Sequence, residues 1–226
     1  MQIICLGDSI TDCDHLLEDF PLGNGYVQML SEMFNKEISS RQPVSLSDSP
    51  ISSNVVQIKN YGFDGFTVAR VLDNIRQHRI SLHRSPVLTL LIGINDIGLM
   101  MNTDRSVSQQ EQMMKEFSVH YDELLKLLTA DARQVILMEP FIFPHPEEYR
   151  IWIPYVRIMS ELIRQLSEKY RLPFLPLHDV LNEIAAEHGF DAVTIDGIHL
   201  TARGHELIAQ KLYSLILSCI SFPNSV

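Results

Sequence analysis

The sequence predicts a three-layer α/β/α sandwich around a parallel sheet of about five strands, with residues 1–226 forming one domain. Three observations carry that expectation. Five short β-rich runs punctuate the chain, and most are nearly all apolar, as strands covered on both faces must be. Segments with apolar residues at spacings of three and four alternate with them. Strands separated by such helices close as parallel neighbours with helices on both sides of the sheet.

The first run, residues 2–6 (QIICL), leads straight into Gly7-Asp8-Ser9-Ile10-Thr11. Residues 39–54 are rich in Ser and Pro and show no periodicity, which predicts a surface loop between the first helix and the second strand. That strand is expected at 55–59 (VVQIK), the third at 86–92 (PVLTLLI) and the fourth at 134–138 (QVILM), with a weaker fifth at 172–175 (LPFL). Met114, Phe117, Tyr121, Leu124, Leu125 and Leu128 mark one helix, and Met159, Leu162, Ile163, Leu166 and Tyr170 another. The last helix carries Ile208, Leu212, Leu215 and Ile216 on one face, with Thr201 as its N-cap. Ligands of such sheets bind beyond the carboxyl ends of the strands, which directs attention to 7–12, 60–67, 93–98 and 139–146.

Composition narrows the function classes. A formal charge of −10, with 18 dispersed Lys and Arg, argues against nucleic acid and anionic membranes, whose recognition needs clustered cations. No apolar run approaches the ~20 residues that span a bilayer, and the start of the chain lacks the pattern of a signal peptide. Cys5, Cys13 and Cys219 are odd in number without metal-type pairing, so a cytoplasmic protein with reduced thiols is expected.

Ser9 sits where the first strand meets the crevice, and two readings apply: a hydroxyl capping the following turn, or a nucleophile. A nucleophilic Ser needs a base, and the base needs a group that fixes its tautomer. Asp196-Gly197-Ile198-His199, just before the last helix, offers both, with His199 as general base and acid and Asp196 as its orienter. The plainer reading is a local hydrogen bond that ties down the helix start. A metal site using His205 has no accompanying ligand cluster, so no metal and no cofactor are expected.

Acyl transfer also needs donors aimed at a developing oxyanion. The glycines of Asn60-Tyr61-Gly62-Phe63-Asp64-Gly65 permit close approach of a backbone N–H, and the amide of Asn95 in Gly93-Ile94-Asn95-Asp96 donates into the same space. Singly, these residues read as loop turns, with Asp96 as a helix N-cap. Asp8, Asp12 and Asp64 lie near the same place and would disfavour an anionic substrate, or else accept backbone N–H groups that shape the loops.

Together GDSIT at 7–11, NYGFDG at 60–65, GIND at 93–96 and DGIH at 196–199 resemble the four signature blocks of the SGNH/GDSL hydrolase family, in order and across nearly the whole chain. The resemblance implies a flavodoxin-like SGNH fold and a carboxylic-ester hydrolase. In it Ser9 is the nucleophile, and Ser9 N–H, Gly65 N–H and the Asn95 amide form the oxyanion hole. A narrower similarity to intracellular acetyl-xylan (xylo-oligosaccharide) esterases lies in GDSITDC (7–13), GNGYV (23–27), IGIND (92–96) and ILMEPF (136–141). It implies deacetylation of a sugar, a small-molecule ester as partner, and a homo-oligomer. Leu200 departs from the Pro usual after the histidine, and 142–155 is individual to this chain.

Within that segment Trp152 is a candidate for stacking on a sugar, burial being the alternative, and in the first block Asp8 is a candidate for lining the substrate site. Competing functions are a lysophospholipase or thioesterase acting on longer acyl chains, a non-catalytic sugar-binding relative, and a phosphate- or flavin-binding module using the first loop.

Overall fold

The computed structural model describes residues 1–17, 19–41, 56–82 and 87–221. Its centre is a five-stranded sheet in the order β2-β1-β3-β4-β5, every neighbouring pair parallel. The strands are β1 (Gln2–Gly7), β2 (Gln57–Gly62), β3 (Val87–Leu91), β4 (Gln134–Met138) and β5 (Phe174–Leu175). In β3 every residue is buried, and β1 is buried from Ile3 onward, which is why both read as continuous apolar runs. At the edge, β2 alternates between exposed and covered residues.

The helices are α1 (Ser9–Asp12), α2 (Tyr26–Arg41), α3 (Val68–Arg76), α4 (Ile94–Met101), α5 (Val107–Asp131), α6 (Ile153–Tyr170), α7 (His178–His188) and α8 (Ala202–Ser221). α2 packs on α8, and α3 on α5, with α4 and α6 also against α5. The expected helical stripe of α5 is the buried one: Met114, Phe117, Tyr121, Leu124, Leu125 and Leu128 all face the core. A capping box starts this helix, the Ser106 hydroxyl accepting from Gln109 N–H and the Gln109 side chain accepting from Ser106 N–H. Thr201 caps α8 as expected, its Oγ1 accepting from Gly204 N–H at 3.3 Å.

Three boundaries differ from expectation. β2 runs over Gln57–Gly62, so Asn60 and Gly62, read as loop, belong to the strand. The polar Asn60 is tolerated there because its side chain is fully employed, donating to the Thr11, Asp12 and Leu22 carbonyls and accepting from Gly62 N–H. β5 is only two residues long. The expected Ser/Pro-rich loop is helical through Arg41, and its remainder, 42–54, lies outside the described residues.

Candidate active site

Strand register assembles the site. Gly7 pairs with Gly62 on one side and with Leu91 on the other, so the carboxyl ends of β1, β2 and β3 are level. Ser9 lies two residues past the end of β1, Gly65 three past β2, and Asn95 four past β3. Three segments distant in sequence therefore meet at one edge of the sheet.

A fourth segment completes the group. The Ser9 Oγ is 3.0 Å from His199 Nε2, and His199 Nδ1 is 2.7 Å from Asp196 Oδ2. With Nδ1–H donating to the carboxylate, Nε2 is left to accept from the Ser9 hydroxyl, a tautomer assigned from this network. Asp196 Oδ1 also accepts from Ile198 N–H at 2.9 Å and His199 N–H at 2.7 Å, which locks the short loop. Burial alone would raise the Asp196 carboxyl, but these hydrogen bonds hold it below the usual range. A hydroxyl, an imidazole and a carboxylate in that sequence are the parts of an acyl-transfer relay.

The loop is held from below by contacts the sequence did not disclose. Thr194 Oγ1 donates to the His199 carbonyl at 2.7 Å and accepts from Gly197 N–H at 2.8 Å. Phe143 N–H donates to the Gly197 carbonyl at 2.9 Å. Gly197 has φ +93, and a Cβ there would stand 2.2 Å from the His145 carbonyl oxygen, so only glycine fits. The 142–155 segment thus buttresses the Asp196–His199 turn.

On the opposite flank, Gly65 has φ +67 and open space where a Cβ would point. Among the described residues no acceptor takes the N–H of Ser9 or of Gly65. Such uncommitted donors at a strand edge suit a developing negative charge. The Asn95 Nδ2 donates to the Phe66 carbonyl at 3.0 Å, leaving its second N–H free of that bond. Asp96 does not cap its own helix as expected; its Oδ2 accepts from Val68 N–H, the first residue of α3, at 3.1 Å. The reason is tertiary, because α4 abuts the start of α3 and the buried carboxyl finds a donor there.

A cleft of about 470 Å³ opens beside Ser9 and His199. Asp12, Asp14, Asp64, Asn24 and His205 line it together with Ile195, and its lining contains no Lys or Arg. Gly65 and Asn95 lie outside that lining. His205 Nδ1 accepts from Tyr26 N–H at 3.3 Å and its Nε2 is 3.4 Å from Cys13 Sγ. Burial, with some repulsion from His199, lowers His205 to about 4 and keeps it neutral.

The two candidate substrate-lining residues are placed elsewhere. Asp8 is 1% exposed: its Oδ1 accepts from Ile10 N–H at 3.1 Å and caps α1, and burial pushes its carboxyl up to about 7. Trp152 is 4% exposed, with Tyr149 at 4.8 Å between ring centroids and Gly98 beneath it. Neither lines the cleft, because each satisfies a local need, one for a helix cap and the other for apolar contact.

A parallel sheet with a hydroxyl–imidazole–carboxylate relay at its carboxyl edge defines a hydrolase architecture. Residues 5–207 match the model of the GDSL-like lipase/acylhydrolase family, and the chain belongs to that family as a carboxylic-ester hydrolase. No curated protein matches. Among solved structures, it is similar to LAE5, an alpha/beta hydrolase enzyme from the metagenome of Lake Arreo, Spain. The two share 21% identity over 99% of this chain and 96% of that one, with a TM-score of 0.75. It is also similar to Axe2, an acetylxylan esterase from Geobacillus stearothermophilus, at 21% identity over 98% and 94% of the two chains, TM-score 0.72. Among the described residues no helix is long and apolar enough to cross a membrane.

Proposed function

We propose that this protein removes a small acyl group, acetyl above all, from a carbohydrate ester through an acyl-enzyme on Ser9. The observation that carries the reading is the Ser9–His199–Asp196 chain of hydrogen bonds beside the uncommitted N–H groups of Ser9 and Gly65. His199 takes the Ser9 proton as Oγ attacks the ester carbonyl, and Asp196 stabilises the imidazolium that forms. The tetrahedral oxyanion is held by the N–H groups of Ser9 and Gly65 and by the Asn95 amide. His199 returns the proton to the leaving alcohol, then activates the water that frees the acid. These steps draw on no cofactor.

The cleft supports a neutral, polyhydroxyl alcohol. Carboxylates, an amide and a hydroxyl line it, groups suited to sugar hydroxyls and repellent to phosphate. The similarity to an acetylxylan esterase points the same way. A second reading, hydrolysis of longer acyl chains, draws on Leu16 and Leu17, which follow the cleft residues Cys13 and Asp14 and are 71% and 56% exposed.

Hydrolysis of acetyl and octanoyl p-nitrophenyl esters and of acetylated xylo-oligosaccharides, by wild type and Ser9→Ala, tests both readings. Acetyl preference that disappears in Ser9→Ala is the expected result. Octanoyl preference would transfer the assignment to the lipid or thioester class, and Ser9-independent turnover would overturn the mechanism.

A further inference from the structure

Two consecutive side chains of α4 grip the loop that carries Gly65. Asn95 Nδ2 donates to the Phe66 carbonyl, and Asp96 Oδ2 accepts from Val68 N–H. Upstream, Phe63 N–H donates to the Gly7 carbonyl at 3.1 Å and Asp64 N–H to Asp12 Oδ2 at 3.2 Å. Between these ties lies a tight turn closed by Phe66 N–H to the Phe63 carbonyl, with Gly65 at its positive-φ corner. Gly65 itself touches nothing within 4 Å of where a Cβ would be, so only its neighbours hold it in place.

Asp96 is 9% exposed, and beside the bond to its own N–H in the first turn of α4 its carboxyl reaches out of the helix to the Val68 N–H that opens α3. Burying a carboxyl is costly, and here the return is a crosslink between the start of α3 and the helix that presents Asn95. We propose that Asp96 is a positioning residue for the oxyanion donors, holding the Gly65 N–H and the Asn95 amide in register with Ser9. The inference rests on the esterase reading above. It adds a residue that touches neither substrate nor relay and acts through the Val68 N–H.

Loss of this tie loosens two donors at once, and misplacement by about 1 Å costs on the order of 100-fold in rate. Asp96→Ala is therefore expected to lower kcat for p-nitrophenyl acetate about 10- to 100-fold while KM changes less than about twofold. Asp96→Asn keeps an acceptor for Val68 N–H and is expected to recover most of that loss. Val68→Pro removes the same hydrogen bond from the donor side, at a first helical position where proline is tolerated, and is expected to reproduce the Asp96→Ala defect. A boronic acid that forms a tetrahedral adduct on Ser9 should weaken in parallel with kcat/KM, whereas acetate inhibition should not.

Circular dichroism and urea unfolding identify which variants fold. A folded Asp96→Ala or Val68→Pro with wild-type kcat, or an Asp96→Asn as impaired as Asp96→Ala, overturns the positioning role. Ser9→Ala in the same assay separates the two levels. Turnover that survives Ser9→Ala sinks the esterase mechanism itself, while Ser9-dependent turnover indifferent to position 96 sinks only this inference.

Discussion

Replacing Asp8 by Asn is expected to stabilise the protein in mild alkali and to leave its stability in acid unchanged. Asp8 is 1% exposed, and burial pushes its carboxyl from 3.8 up to about 7, against the opposing pull of the Ile10 N–H and of His199. Asn offers Ile10 N–H the same acceptor without the charge. The folded-state value lies above the unfolded one, so between about pH 4 and 7 the folded protein binds a proton that the unfolded chain has released. The wild type therefore gains stability as pH falls through that window and loses it as pH rises, with the full deficit present above about 7. At 1.36 kcal/mol per unit over roughly three units, the deficit is about 4 kcal/mol. The Asn variant lacks the Asp8 part of this slope, while Asp96, likewise pushed up to about 7 by burial, keeps a slope of its own in both proteins. Urea unfolding of both proteins at about pH 4, 6 and 8.5 measures the gap, expected near 4 kcal/mol at the highest pH and near zero at the lowest. A variant no more stable than wild type at about pH 8.5, or a gap that does not vary with pH, would refute the reasoning.

Asn95→Ala removes one of the proposed oxyanion donors and the tie to the Phe66 carbonyl, and kcat is expected to fall by roughly 10²–10³, read by steady-state kinetics on the acetyl ester. An unchanged kcat would remove Asn95 from the site. Trp152→Ala empties a nearly closed apolar site against Tyr149 and Gly98 and should cost about 3–5 kcal/mol in urea unfolding, an effect that a sugar-stacking side chain on the surface would not show.

The residues that ended up together at the site were legible for different reasons. Asp196 and His199 are three apart, so their bond is local and needs only the turn before α8. Ser9 was marked by its place just past an apolar run, where a parallel sheet presents its loops. The boundaries of β2 were not legible, since Asn60 and Gly62 look like turn residues until their partners on Thr11, Leu22 and Gly7 are known. Nor was the role of 142–155, which depends on one hydrogen bond from Phe143 to Gly197, 54 positions away.

By itself, then, the sequence determined the alternation of strands and helices, the buried stripe of α5 and most of those of α6 and α8, where Leu162, Tyr170 and Leu215 are only partly buried, and the motif blocks that mark the family, because each is written in spacings of a few residues. Only the tertiary structure decided that Asp8 and Trp152 are buried, that the Asp96 carboxyl reaches across to the first residue of α3, and that Thr194 and Phe143 hold the Asp196–His199 turn. Those outcomes depend on which distant backbone donors and acceptors the sheet register brings within 3 Å or so, and a one-dimensional pattern carries no record of that register.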